Sequence, residues 1–326
     1  MKQNTSPLHS LWPDWQQPAQ EMLRVMLGEL QGLAITGGEA SVRLSPEGVD
    51  NGRWLAGFSP VGVAASRLMA LPQSFGMPEE WAEHFRENCQ RVRQIYLALS
   101  QTKDQVQAKV YLEHPLSAPD LRTTAPEKRQ VALQIESCKW DLSQAETKNF
   151  QCTEYWRVSG LDGRAMVELL RQAQDLAPVA QSVYAGVSKI LETALHAKPD
   201  WQGYRLLSVR EPVNGRLGVC VRFYGSEMPV SAVAPAFLPI FAEWGVSPQR
   251  LSELMTVWRR QELGWLHAGL DAAGQAYLNV YGALNRAETR AVLSQAGAGT
   301  MAQKNNLPDI TAVRSKVEQN QLVRRG

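Results

Sequence analysis

The sequence predicts an α+β protein with one closed, ten-stranded antiparallel barrel, made of five repeated α-β-β-α units with helices outside. Five pairs of strand-like segments recur along the chain, each pair is joined by a short turn, and amphipathic helices separate most of the pairs. Consecutive hairpins form a single antiparallel sheet, and closing that sheet removes its edges while the helices bury its apolar face. At 326 residues and 44% hydrophobic content, the chain is large enough for such a core.

The first half of the chain contains three of the strand pairs. A helix is predicted over residues 18–33, and two further helices are predicted over residues 61–71 and 78–91. The strand pairs are GGEASVRLSPEG with GRWLAGFSP around the turn-rich SPEGVDNG, QIYLALSQ with VQAKVYLEHP, and QVALQIESCKWDL with FQCTEYWRVSG. The proline- and charge-rich link HPLSAPDLRTTAPEKR shows no clear helix, so the second unit is the least regular.

The second half repeats the pattern with clearer helix starts. Asp162 is placed to cap a helix over residues 163–174, and another helix covers 177–197. Ser231 precedes a helix that reaches residue 244, and Ser247 followed by Pro248 starts the next. The strand pairs are GYRLLSVREP with GRLGVCVRFYG and GWLHAGLDA with QAYLNVYGA, followed by a short helix at 287–294.

The domain organisation follows from this pattern. We expect an N-terminal arm at residues 1–17, one barrel domain at 18–296 and a C-terminal tail at 297–326. The mildly basic, weakly apolar tail is compatible both with a flexible segment and with a cap on one barrel end. The alternative is a pair of open α+β domains divided near residues 118–129.

Composition narrows the classes of partner and compartment. A formal net charge of +2 gives no reason to expect nucleic acid or an anionic membrane as a partner. The N-terminus has no signal-peptide core, and no run of about 18 apolar residues occurs. The four cysteines form no CxxC pair, which favours free thiols in a reducing compartment and argues against a zinc site. We therefore expect a cytoplasmic monomer or weak dimer.

The second strands of the hairpins share a polar pattern. Three of them place a nitrogen-bearing side chain two residues before a tyrosine: Lys109 and Tyr111, Arg222 and Tyr224, and Asn279 and Tyr281. A fourth has the same two groups in reverse order, Tyr155 and Arg157. Residues two apart on a strand lie on one face. In the first hairpin, Arg53 occupies the comparable strand. If the apolar face packs on the helices, these groups face the lumen, where several cations repel one another unless an anion such as a diphosphate binds among them. The alternative is that the cations extend to solvent at the rim and the tyrosines merely suit strands.

Other signatures are missing from the sequence. There is no DDxxD-like cluster of the kind that holds a diphosphate through several magnesium ions. There is also no GxGxxG before a helix, no GxxxxGK[ST], no HExxH and no GxSxG. The usual signatures of nucleotide-dependent enzymes, zinc hydrolases and the common serine hydrolases are therefore absent.

The repetition, with Lys/Arg-x-Tyr on barrel strands, resembles the ABBA-type aromatic prenyltransferases of indole, phenol and cyanobactin biosynthesis, over about residues 19–294. AKVYLE and VRFYG are similar to that family's K-x-Y strands, which implies that Lys109 and Tyr111, and likewise Arg222 and Tyr224, bind diphosphate. GEASVRL followed by GRWLAGFSP looks like the opening pair of the indole enzymes, which implies that Glu39 accepts a proton and that Arg53 meets the diphosphate. A solvated strand-end carboxylate is the alternative for Glu39, and a structural role is the alternative for a lumen-facing His267.

Two positions depart from the family pattern. Asn279 stands where many members carry a cation, and Cys220 stands where the indole enzymes often carry another. The resemblance implies transfer of an isoprenyl group from an allylic diphosphate to an electron-rich aromatic acceptor, in secondary metabolism. It implies no required cofactor and no protein-bound metal, with Mg²⁺ at most assisting the diphosphate. The alternative from another class is a non-catalytic barrel that binds a hydrophobic or anionic small molecule as a carrier or pathway accessory.

Overall fold

The structure is a computed structural model that describes residues 17–101, 105–115, 131–142, 150–199, 203–213, 215–249, 252, 261–285 and 288–289. The predicted N-terminal arm, apart from residue 17, lies outside these residues, as does the C-terminal tail. Most of the proline-rich link and most of the helices predicted to follow residues 248 and 287 also lie outside them.

The described residues form a closed antiparallel barrel in which each strand pairs with the next along the chain and the last pairs with the first. The strands are β1 Ile35–Ser45, β2 Gly48–Phe58, β3 Gln94–Gln101, β4 Val106–Glu113, β5 Val131–Asp141, β6 Phe150–Val158, β7 Arg205–Glu211, β8 Arg216–Arg222, β9 Leu263–Leu270 and β10 Ala276–Leu284. Seven residue pairs between β1 and β10, from Gly38 with Leu284 to Leu44 with Leu278, close the sheet. The predicted closed barrel is confirmed, and the alternative of two open domains is not observed.

One helix precedes the first hairpin, the others lie between hairpins, and their apolar sides pack on the outside of the barrel. They are α1 Gln17–Glu29, α2 Ala65–Gln73, α3 Glu79–Asn88, α4 Gly163–Leu176, α5 Gln181–Ala197 and α6 Ala234–Glu243. Helix α1 contacts β3, and α5 contacts β9 and β10. Asp162 caps α4 as predicted, because its Oδ1 accepts a hydrogen bond of 2.7 Å from the backbone N–H of Ala165.

Strand alternation divides the barrel into an apolar outside and a polar inside. Outward-facing side chains such as Val42, Leu44, Leu278 and Val280 are buried together with the apolar faces of the helices in one large core. The alternate residues of the same strands face the lumen. The polar lumen is therefore a direct consequence of burying the other face of every strand.

The two ends of the barrel differ in their connections. One end, which we call the turn end, is where every odd-numbered strand finishes and the following even-numbered strand begins. The longer connections, including the described helices α2 to α6, leave from the other end, which we call the mouth. A side chain's position along its strand therefore gives its depth in the lumen.

Several predicted boundaries shift. The turn-rich SPEGVDNG contributes only Pro46 and Glu47 to a turn, since β2 begins at Gly48, which already pairs with Ser45 of β1. Strand β8 ends at Arg222, so Phe223 and Tyr224 have already left the sheet.

Several helices begin or end a few residues away from their predicted boundaries. A 3-10 turn at Val230–Val233 comes before α6, and Ser231 is not its cap; the helix starts at Ala234, which places a proline in its first turn. Helix α1 ends at Glu29, four residues before the predicted end, and α2 begins at Ala65 rather than at residue 61. Pro248 and Gln249 are helical, so the predicted helix start after Ser247 is confirmed.

Replacing Leu278 by alanine should destabilise the barrel by about 2–5 kcal/mol, because its fully buried side chain packs in the outer core beside the closing β1–β10 pair. The matched control is Leu217→Ala on β8, whose side chain is 64% exposed, and it should cost less than about 0.5 kcal/mol. Chemical denaturation of both variants measures the two free energies of unfolding. Equal losses would contradict the assignment of Leu278 to the core.

Candidate active site

A cavity of about 970 Å³ opens into the lumen at the mouth. Its walls come from the first residues of β1, β3, β5, β7 and β9 and from the last residues of their partner strands. Charged, aromatic and apolar side chains all contribute to the lining. A cavity of this size can hold a molecule of drug-like dimensions.

A carboxylate held by two aromatic side chains lines this cavity. The Tyr224 hydroxyl donates a hydrogen bond to Glu39 Oε1, and the side chain of Trp265 hydrogen-bonds the same carboxylate. Burial raises the pKa of Glu39 to about 7, although both hydrogen bonds and the nearby Arg222 oppose the shift. Glu39 can therefore take up and release a proton near neutral pH.

A glycine of β9, Gly264, leaves the space that this arrangement needs. Tyr224 leaves the end of β8 and crosses over Gly264, where an added Cβ would lie only 2.8 Å from the tyrosine Cζ. Any larger residue at position 264 would push the ring away. The Tyr224 ring then meets Trp265 edge-on at 6.4 Å between centroids.

A second carboxylate–tyrosine pair lines the cavity from β3 and β4. The Tyr96 hydroxyl donates to Glu113 Oε2 at 2.5 Å, and Arg93 Nη1 lies 3.5 Å from Glu113 Oε1. Burial and the adjacent Glu113 raise the pKa of Tyr96 well above its ordinary value, which keeps its hydroxyl protonated as a donor. Carboxylates, cations and phenols thus alternate around the mouth.

Three further tyrosines line the cavity near Tyr96, which is the register partner of Tyr111, and we call them the tyrosine layer: Tyr111, Tyr155 and Tyr281. Tyr111 lies two residues deeper than Glu113 on β4, and its ring centroid is 6.4 Å from that of Tyr155. Burial raises the pKa of Tyr111 to about 12 and that of Tyr155 well above its ordinary value. All three rings therefore stay neutral and present π faces and hydroxyls to the lumen.

Several cations lie deeper than the tyrosine layer, toward the turn end, and four of them form what we call the deep cation cluster: Arg43, Arg53, Lys109 and Lys139. Lys109 and Lys139 are directly opposite each other on β4 and β5. Desolvation and repulsion by the surrounding cations lower the pKa of Lys109 well below its ordinary value, and that of Lys139 to about 8. The cluster thus carries positive charge that the protein itself neutralises incompletely.

Acidic residues near the turn end are committed to other partners. Arg43 Nη2 lies 3.2 Å from Asp271 Oδ2, and Glu211 accepts hydrogen bonds from Arg216 and Gln151. Within the described residues, neither lysine of the cluster has a carboxylate at ion-pair distance; the attraction of Glu211 for both acts only at longer range. An anion that enters the lumen would find these ammonium groups available.

A chain of polar contacts runs from Arg53 along β10 and β9. Arg53 Nη1 donates to Asn279 Oδ1 at 2.6 Å, and Asn279 Nδ2 lies 3.5 Å from His267 Nδ1. His267 Nε2 lies 2.9 Å from the Tyr277 hydroxyl, and the Arg43 guanidinium sits 4.2 Å from the centre of the Tyr277 ring. Burial and the surrounding cations lower the pKa of His267 to about 3, so the imidazole is neutral.

The structure brings all the sequence-predicted residues to one lumen but at two depths. Arg53, Lys109 and Asn279 lie deep, whereas Arg222 lies at the mouth, where its Nη1 donates to the carbonyl oxygens of Gly203 and Tyr224. Arg157 is also on the mouth side, two residues beyond Tyr155 on β6. The strand pattern by itself does not distinguish these two levels.

Cys220 faces the lumen in a small apolar cluster. It packs with Leu207 and Val209, and partly buried aromatic rings cover it. Burial raises the pKa of its thiol well above the ordinary value, so it stays uncharged. Where the indole enzymes often carry a cation, this lumen therefore has an apolar wall.

Sequence reasoning missed several lumen residues that simple alternation could have found. Lys139 has the same alternation on β5, and Arg43 follows Glu39 by four residues on β1. Glu113 follows Tyr111 by two residues, as Trp265 precedes His267. Alternation along each strand places these side chains in the lumen. The search for Lys/Arg-x-Tyr overlooked them because Arg43, Lys139 and Trp265 lie on strands without that pattern, and Glu113 lies just after the Lys109 and Tyr111 pair.

The four cysteines are free thiols. Among the described residues, no group of three or more histidine, cysteine, aspartate or glutamate side chains is arranged to hold a metal ion. In the same part of the chain, every helix is too short or too polar to cross a membrane.

The Glu39→Gln variant should become more stable than the wild type as pH rises from about 4.5 to above 7. The folded-state pKa of Glu39 is raised, so its protonated form favours folding at low pH, and that contribution is lost as the pH passes about 7. The difference in free energy of unfolding should grow by about 3 kcal/mol over this range, measured by denaturation at several pH values. Glu243→Gln, at the exposed end of α6, is the control and should follow the wild-type curve; a parallel Glu39→Gln curve would contradict the buried carboxylate.

Comparison with known proteins supports the fold. No family model matches the chain, and no curated protein matches its sequence. The crystal structure of NotF in complex with brevianamide F and DMSPP matches with a TM-score of 0.50 and 13% identity over 85% of this chain and 90% of that chain.

Two further solved structures are similar. AnaPT from Neosartorya fischeri has a TM-score of 0.43 and 14% identity over 76% of this chain and 78% of that one. The 6-dimethylallyltryptophan synthase from Micromonospora olivasterospora, in complex with DMASPP and Trp, has a TM-score of 0.46 and 10% identity, with coverages of 84% and 97%. Together with the ten-stranded topology, the similarity to NotF shows that this chain has the barrel fold of the ABBA-type aromatic prenyltransferases.

Proposed function

We propose that this protein is an aromatic prenyltransferase that transfers an isoprenyl group from an allylic diphosphate to an electron-rich aromatic acceptor inside the barrel. The observation that carries this proposal is the deep cation cluster, buried, incompletely neutralised and separated from the mouth by three tyrosines. NotF, which shares the fold, was crystallised with a prenyl diphosphate and an aromatic acceptor.

The diphosphate would bind at the deep cation cluster. Arg53 on β2 can offer a planar fork of donors, while Lys109 on β4 and Lys139 on β5 offer point charges. Binding would relieve the repulsion that lowers the pKa of both lysines. As the allylic C–O bond breaks, the diphosphate keeps the electron pair, and the same cations stabilise the negative charge on the leaving group.

The tyrosine layer would surround the allyl cation formed in that step. Tyr111 and Tyr281 each stand two residues nearer the mouth than Lys109 and Asn279, so the prenyl chain would extend from the cations toward the cavity. Neutral aromatic faces attract a cation without reacting with it readily, and their closely packed rings exclude water that would otherwise quench it.

The acceptor would enter from the mouth and meet the allyl cation at the tyrosine layer. A nucleophilic atom of its aromatic ring system forms the new bond to the allyl carbon, and a proton is lost from the acceptor to Glu39. With a pKa of about 7, the Glu39 carboxylate is a stronger base than an exposed glutamate. Tyr224 and Trp265 hold it in place, and Arg222 moderates its pKa.

Magnesium is not required in this proposal and at most assists the diphosphate. Arginine and lysine supply the positive charge that a diphosphate needs, and they do so from fixed positions on barrel strands. A magnesium ion would bind to the diphosphate of the donor and would not need a dedicated site on the protein.

Lys109→Ala should lower kcat/KM for the prenyl donor by about 100-fold, because one buried charge-assisted contact to the leaving group is lost. Release of diphosphate from dimethylallyl and geranyl diphosphates, measured with a panel of aromatic acceptors, tests this. Lys189→Ala on the exposed face of α5 removes the same charge outside the lumen and should retain full activity. Donor binding without release, unchanged by Lys109→Ala, would instead indicate a non-catalytic binding barrel.

Donor affinity should fall as pH rises above about 8. Lys139 has a pKa of about 8 in the free protein, and a bound diphosphate would raise it, so binding takes up a proton at higher pH. Calorimetry with a thiolodiphosphate analogue of the donor, repeated in buffers of different ionisation enthalpy, counts that proton.

Lys139→Met should flatten this pH dependence, whereas Lys189→Met should preserve it. A wild-type affinity that stays constant between pH 7 and 9.5 would show that the deep lysines do not meet the diphosphate.

A further inference from the structure

Among the deep cations of the described structure, Arg53 is the one whose guanidinium donates a hydrogen bond to a neutral side chain of a nearby strand. Its Nη1 donates to Asn279 Oδ1 at 2.6 Å across β1, the single strand that separates β2 from β10, so both residues belong to the same side of the barrel. Asn279 and His267 are direct partners in the β10–β9 register. The contact therefore links Arg53 to a fixed position on the closing strands of the barrel.

Arg53, Asn279, His267 and Tyr277 form a series of hydrogen bonds, and the direction of each one follows from Arg53. A guanidinium only donates, so the Asn279 oxygen must face it and the Asn279 nitrogen must face His267 Nδ1. Because that amide nitrogen also only donates, His267 Nδ1 must be unprotonated and accept. Its proton is then on Nε2, from which it donates to the Tyr277 hydroxyl at 2.9 Å.

We infer that Asn279 and His267 are positioning residues for Arg53: together they hold one guanidinium orientation toward the tyrosine layer, and the neutral Nε2–H tautomer of His267 fixes the Asn279 amide. This inference rests on the proposed function, because it makes Arg53 the group that meets the diphosphate. Asn279 would thus act through Arg53, since both polar atoms of its side chain already have protein partners.

The surroundings of His267 keep it in the required neutral form. The charged groups that lower its pKa most come from four other strands, and these are cations: Arg43 on β1, Arg53 on β2, Lys109 on β4 and Arg216 on β8. The phenols of Tyr277 and Tyr155 contact its ring, and they are themselves held neutral. Burial and these cations lower the pKa of His267 to about 3.

A cation at position 279 would destroy this arrangement. Lysine or arginine could not accept from Arg53, and would place another positive charge beside His267. Asparagine at position 279 adds no positive charge to the lumen, but it holds the Arg53 guanidinium in one orientation. This accounts for a neutral amide at a position where the sequence pattern leads one to expect a cation.

Nitrogen-15 NMR of the imidazoles tests the chain directly, since the shifts of the two ring nitrogens differ between tautomers. The wild type should show His267 as the Nε2–H tautomer, assigned by the signal that disappears in His267→Gln. In Asn279→Asp, the new carboxylate should draw a proton onto Nδ1, and His267 should begin to titrate above pH 5.

Binding of inorganic pyrophosphate, measured by calorimetry at pH 7.5, tests the effect on Arg53. Asn279→Leu should weaken binding about tenfold, and Asn279→Asp about 100-fold, because the carboxylate also competes with the anion for Arg53. His267→Leu should weaken it about tenfold, whereas His267→Gln restores an acceptor for the Asn279 amide and should stay within about threefold of the wild type. Thermal unfolding checks that each variant is folded.

Gln181→Glu is the matched control, since it makes the same change from amide to carboxylate at the exposed start of α5, and it should bind within about twofold of the wild type. An Nδ1–H tautomer in the wild type, or equal losses in His267→Leu and His267→Gln, would overturn the inference. If the wild type binds pyrophosphate with this variant pattern but releases none from prenyl donors, the proposed function fails and the positioning of Arg53 stands.

Discussion

Pairing of β1 with β10 is the interaction on which the rest of the structure depends. An open ten-stranded sheet would expose two edges, and its polar face, which the helices do not cover, would meet water. Closure turns that face into a lumen, so that side chains from distant parts of the chain, such as Glu39 and Tyr224, come within hydrogen-bonding distance. Every electrostatic property of the site follows from removing these groups from solvent.

The same desolvation acts in opposite directions at the two levels of the lumen. It raises the pKa of Glu39 at the mouth and lowers the pKa of Lys109 and Lys139 in the deep cluster, because burial disfavours whichever form is charged. A base with a pKa near 7 and, in the described structure, two lysines lacking close counter-ions therefore stand on opposite sides of three neutral tyrosines. This separation suits a reaction in which a diphosphate leaves on one side and a proton leaves on the other.

Hydrogen-bond polarity links the deep cluster to the seam of the barrel. A donor-only guanidinium sets the orientation of Asn279, which sets the tautomer of His267. This series of hydrogen bonds is short, but it runs from β2 to β9 and depends on the register of β1, β10 and β9. A residue that looks like a lost cation in the sequence is, in the barrel, part of the support for another cation.

The sequence by itself determined the hairpins, most of the helices and the face on which each polar side chain lies, because strand alternation and helix starts are local properties of the chain. Lys109 and Tyr111 share a face for this reason, whatever they pack against. The sequence favoured a closed barrel over two open domains, and the pairing of β1 with β10 in the structure decided between them. Only the tertiary structure decided depth and pairing: that Arg222 stays at the mouth, that Lys139 stands opposite Lys109, and that Tyr224 reaches Glu39 after its strand has ended. These depend on the stagger of ten strands around the barrel and on the space left by Gly264, which no local pattern encodes.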